Sequence, residues 1–112
     1  MSDASSLELA DAASLSDLGR YAVRAKTLDA DAAVRLQAND SVLAAWVGVL
    51  PGSGLLGEGL VLGLRTFALA APSDLDVIVP AAAVTDRTAH APGGTRLPVP
   101  PVRLSPTWAS LT

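Results

Sequence analysis

The chain has 112 residues, 50% of them apolar, 17% charged and 4% aromatic, with a formal net charge of −3. That length gives one domain able to bury its own core, and the apolar content excludes a disordered chain. With no cysteine, a disulfide scaffold and a thiolate metal site are excluded, and the acidic balance argues against nucleic-acid binding driven by charge.

Residues 1–13 are polar, then alanine-rich, and read as a partly ordered N-terminal segment. Asp3, Glu8 and Asp11 stand where a secretory signal carries basic residues, so the expected setting is cytoplasmic. Ser14 has the look of a helix N-cap, with Asp17 three residues on. Leu15, Leu18, Ala22, Ala25 and Leu28 follow at helical spacing and form one apolar stripe, with Asp17, Arg20, Arg24 and Thr27 opposite. Gly19 lies inside this helix at a cost of about 1 kcal/mol relative to alanine.

The period then changes from helix to strand. Val34, Leu36 and Ala38 alternate with Arg35 and Gln37, predicting a half-exposed strand that ends at the turn signal Asn39-Asp40. Residues 42–50 and 60–69 are apolar on both faces and predict two further strands around Pro51 and the glycines after it. They are too interrupted for a membrane span, which needs about 20 predominantly apolar residues. A fourth strand, 76–80, stops at Pro80, and 81–90 predicts a short helix with that proline near its first turn.

Helix, four strands and helix predict an α+β fold: a two-layer sandwich with a four-stranded antiparallel meander over residues 14–91 and the N-terminal helix on one face. An antiparallel sheet with one wet face alternates apolar and polar residues, and the two central strands do not. Their second face therefore needs a cover: the N-terminal segment, the C-terminal tail or another copy of the chain. Trp46, Phe67, Tyr21 and Trp108 are the available large core anchors. Five of the eight prolines lie in residues 92–112, which read as an extended tail. Its Val99, Val102, Leu104, Trp108 and Leu111 predict that it docks or leads to a further region.

Residues 39–65, with the segments 76–80 (DVIVP) and 85–87 (TDR), resemble uncharacterised actinobacterial proteins that continue beyond this point. The resemblance implies an actinobacterial origin and that the chain is the N-terminal part of a longer protein. It implies no activity and no site.

Several constellations invite a chemical reading. Gly52, Gly54 and Gly57 make a G-x-G-x-x-G pattern after a predicted strand, with Asp76 nineteen residues beyond. The flanking pattern fits a hairpin loop better than a dinucleotide fold, so no cofactor is expected. His90, the only histidine, lies in a loop context without a nucleophile beside it. Asp29/Asp31 and Asp74/Asp76 each put two carboxylates on one side of an extended segment but lack the framework of a calcium loop, so no metal is expected. Arg65 interrupts an apolar strand and needs a counter-ion, with Asp76 the first choice and Asp86 the second.

The expected function is a non-catalytic self-association or protein-interaction module. Its partner is a second copy in a homodimer or another protein, with neither nucleic acid nor membrane, and its interface includes Val47, Val49 and Trp108. The alternative is a small-molecule or anion-binding domain, possibly part of a larger enzyme, using Gly52, Gly54, Gly57, Arg65 and Asp76.

Overall fold

The computed structural model describes residues 6–49, 61–90 and 92–112. The order of elements is β1 (Ser6–Glu8), α1 (Ala12–Leu28), β2 (Ala33–Val49), β3 (Val61–Pro80), α2 (Ala81–Ala89) and β4 (Arg96–Pro98), closed by a 3-10 turn at Thr107–Leu111. The class is α+β with antiparallel strands, but among the described residues the strands form two small sheets, β1–β4 and β2–β3, and no four-stranded meander.

The difference lies at Asn39-Asp40. A tight type I′ hairpin at Asn39-Asp40 takes left-handed backbone at both residues, whereas only Asp40 adopts it, with φ of 55°. The chain bends and continues, and the two predicted strands 34–38 and 42–50 become the limbs of one strand, β2. On β3 the predicted strands 60–69 and 76–80 merge in the same way. Register pairs Asp40 with Ser73 and Val42 with Ala68, so Ser41 alone faces Leu69, Ala70, Ala71 and Pro72. This large bulge accommodates Pro72, which has no N–H to give a ladder. The lower limb joins residues 33–40 to 73–80, and the upper limb joins 42–49 to 61–68.

One face of the ribbon forms the core. Val34, Leu36, Ala38, Leu43, Ala45, Val47 and Val49 of β2 are buried there with Phe67, Leu69 and Val79 of β3. Helix α1 covers this face with Leu15, Leu18, Ala22 and Ala25, while Leu28, at the end of the predicted stripe, is exposed. The helix starts earlier than the Ser14 reading: Asp11 is the N-cap, and its carboxylate accepts from the Ser14 N–H at 2.7 Å. That bond holds the Asp11 pKa below the usual aspartate value. Asp17 pairs with Arg20 instead of completing a capping box.

Helix α2 runs from Pro80, its N-cap, as predicted, and packs on α1 at Gly19. A Cβ on Gly19 would meet the Thr88 hydroxyl at 2.7 Å, so the glycine that weakens the helix is what allows the second helix to approach. Leu7 and Leu9 of the N-terminal segment are fully buried. β1 pairs with β4 of the tail and reaches the β3 bulge through a Leu9–Leu69 bridge.

Candidate functional site

The outer face of the ribbon, away from α1, carries Arg35, Gln37, Val42, Ala44, Trp46 and Gly48 from β2, opposite Ile78, Asp76, Ala68, Thr66, Leu64 and Leu62 of β3. The bend at Asp40 brings the two limbs together on this side: the indole N–H of Trp46 donates to Gln37 Oε1 at 2.8 Å. Trp46 is half-buried and is not a core anchor.

The C-terminal segment crosses the same face. The Leu104 N–H donates to the Ile78 carbonyl at 2.8 Å. Beyond it, the Trp108 ring occupies the space that a Cβ on Gly48 would need, and Trp108 is buried. The Arg35 guanidinium donates to the Ala109 carbonyl at 3.1 Å and to Thr112 Oγ1 at 2.5 Å. Its other two nitrogens donate to Asp76 Oδ1 and Oδ2 at 2.8 and 2.7 Å, a bidentate pair. Arg35 thus holds the tail with one edge and β3 with the other. Its hydrogen bonds keep the Asp76 carboxyl below the usual aspartate range, and the carboxylate raises the Arg35 pKa in return.

The tail does not cover the whole face. Val42 is 49% exposed, Leu64 48% and Leu62 36%, all on the upper limb beside Trp46. The backbone of β3 is open there too. The Ala68 carbonyl points away from β2, where the Ala10 N–H bonds it. By the alternation of an antiparallel ladder, Thr66, Leu64 and Leu62 present their backbone groups to the same side, where no strand of the described residues pairs with them.

The residues singled out by sequence fall in different places. Gly52, Gly54 and Gly57 lie outside the described residues. Arg65 and Asp76 are not partners. Arg65 sits opposite Ala45 on the α1 side of the upper limb, while Asp76 sits opposite Gln37 on the outer side of the lower limb. Arg65 is exposed, and its guanidinium lies 5.4 Å from the centroid of the Tyr21 ring, a cation–π contact in place of the expected ion pair. The Tyr21 hydroxyl reaches over Gly63 and finds no hydrogen-bond partner among the described residues; burial pushes its pKa up. Val47 and Val49 belong to the core and Trp108 fills the Gly48 slot, so all three are buried within the single chain.

The other candidates have local roles. His90 caps α2, is 78% exposed, and places Nδ1 2.7 Å from the Asp86 carbonyl. Asp29 accepts from the Asp31 N–H at 2.9 Å in a turn after α1. Among the described residues, no group of three His, Cys, Asp or Glu side chains could hold a metal ion. No described helix is long and apolar enough to cross a membrane. The residues that the sequence reading undervalued are Arg35, Gln37 and Gly48. Arg35 and Gln37 signal only outward positions on an alternating strand, and Gly48 is one small residue in an apolar run.

These features define a small α+β domain built on one long bent ribbon, with helices on one face and a tryptophan-bearing tail on the other. The chain belongs to the family described as "Domain of unknown function (DUF8010)", with the match covering residues 2–110. No curated protein and no solved structure matches it.

Proposed function

We propose that this domain is a non-catalytic self-association module in which the upper limb of the ribbon meets a second copy. The observation that carries this reading is the apolar patch of Val42, Leu62 and Leu64 around Trp46, on a sheet face already half-covered by the tail. The edge of β3 beside the patch, which no strand of the described residues pairs with, adds backbone groups that a strand of a second copy can pair with. A cytoplasmic setting and an actinobacterial origin belong to the same proposal and rest on sequence alone.

The test is sedimentation velocity across a wide concentration range. The expected result is a dimer that accumulates with concentration and that Leu64→Asp abolishes while far-UV circular dichroism stays unchanged. A wild-type chain that is monomeric throughout, or one whose association Leu64→Asp leaves intact, overturns the reading.

A further inference from the structure

The Gly48 slot has the design of a peptide-binding site. Four features converge on it. It is flat because Gly48 has no side chain, and an indole ring lies where a Cβ would stand. The polar anchor, Arg35, is fixed from behind by the bidentate Asp76 pair and reads one backbone carbonyl and one hydroxyl of the incoming segment. The Ile78 carbonyl takes a backbone N–H from the same segment at 2.8 Å, in the manner of an added strand. The occupant itself is joined to the rest of the chain through Pro101, Val102 and Arg103, all exposed.

We propose that this site takes residues 104–112 of a second copy, and that the chain's own tail is the occupant in the closed form. Every second copy brings a segment with the same complementarity: the Trp108 ring, the Ala109 carbonyl and the Thr112 hydroxyl. Exchange of an identical element reuses contacts that already exist, so it requires only a connecting segment that can open, and residues 101–103 are placed to do so. Both the slot and the patch of Val42, Leu62 and Leu64 lie on the outer face of the ribbon. The inference rests on the self-association reading in taking the partner to be a second copy, and it names the segment that is offered.

Two full-length variants separate donor from acceptor. Trp108→Ala leaves the slot unfilled. Gly48→Ala blocks the slot and leaves an intact tail free to dock elsewhere. With Trp108→Ala immobilised, Gly48→Ala is expected to bind on the order of tenfold or more tightly than the double variant Gly48→Ala/Trp108→Ala, which carries no plug. The patch is the same in both analytes, so the difference isolates the tail in the slot. Equal binding overturns the proposal. A synthetic peptide of residues 102–112 gives a second readout that needs no folded donor. It is expected to bind Trp108→Ala on the order of tenfold or more tightly than wild type, whose own tail competes at an effective concentration of about millimolar. A peptide that binds neither overturns the proposal as well. Should Leu64→Asp leave wild-type association intact while Gly48→Ala still binds Trp108→Ala, the patch reading fails and the exchange stands. Should Leu64→Asp abolish association while the two analytes bind equally, the reverse holds.

Discussion

A single guanidinium ties together two strands and a tail, and its carboxylate partner makes the contact sensitive to acid. Asp76 has a folded-state pKa below its unfolded value near 3.9, because Arg35 donates to both carboxylate oxygens. The stabilisation is therefore fully present above about pH 5 and is lost as pH falls through the lowered folded value. The Asp76 side chain is 52% exposed, so solvent screening holds the pair to about 1 kcal/mol or less at neutral pH. Asp76→Asn is expected to lower the unfolding free energy measured in urea at pH 7 by that amount, and its deficit against wild type should shrink as pH falls below about 4. A difference that stays constant as pH falls would assign the effect to packing. Arg35→Ala should cost more than Asp76→Asn, because it also removes the guanidinium hydrogen bonds to the Ala109 carbonyl and the Thr112 hydroxyl. This chemistry was not readable from the chain. Arg35 and Asp76 are 41 residues apart, and the register that joins them depends on a bulge at Ser41 that no local motif announces. The burial of Leu15, Leu18, Ala22 and Ala25 was readable, because helical spacing alone puts them on one face.

At the scale of elements, local preference and tertiary packing conflict at Gly19. In isolation, Gly19→Ala strengthens α1 by about 1 kcal/mol. In the folded chain the new Cβ meets Thr88 Oγ1 at 2.7 Å and Thr88 Cβ at 3.0 Å, both on a neighbouring helix. Gly19→Ala is expected to destabilise the protein by about 1–3 kcal/mol through overpacking. In a Thr88→Ala background the hydroxyl is gone and only the Cβ contact remains, so at least half of that loss should return; thermal unfolding of the four chains in the cycle measures it. The strands show the same conflict with another outcome. Two apolar runs around the glycine-rich segment do form the upper limb as expected, since their patterns are strand-like whatever surrounds them. Asn39-Asp40 reads locally as a turn, yet β3 pairs on both sides of it, and the ladder carries β2 through the signal with a bend. Turn chemistry identifies where a backbone can deviate; the partner strand decides whether it reverses.

The whole molecule is closed unevenly. The lower limb is enclosed by α1 on its inner face, and the tail and Arg35 run over its outer one, while the upper limb is packed on its inner face and open at Val42, Leu62 and Leu64. Stability in such a chain is graded: amides in the enclosed ladder open only with global unfolding, and those at an open edge exchange from the native state. The amides of Val34, Leu36 and Val79, whose side chains are fully buried, are expected to be the slowest to exchange with deuterium. Those of Leu62 and Leu64 face away from β2 and are expected to exchange fast in dilute solution. Raising the protein concentration should slow Leu62 and Leu64 most, because the open edge and patch gain a cover, while Val34 slows only by the gain in global stability that association brings. The opposite pattern, with Leu62 and Leu64 protected equally at all concentrations, would mean that the cover is supplied within one chain. That a two-sided apolar sheet needs a second cover is legible in the sequence, because alternation is visible residue by residue. The division of that cover between tail and open patch is not, because it depends on where Trp108 lands, and the site that receives it is an absent side chain at Gly48.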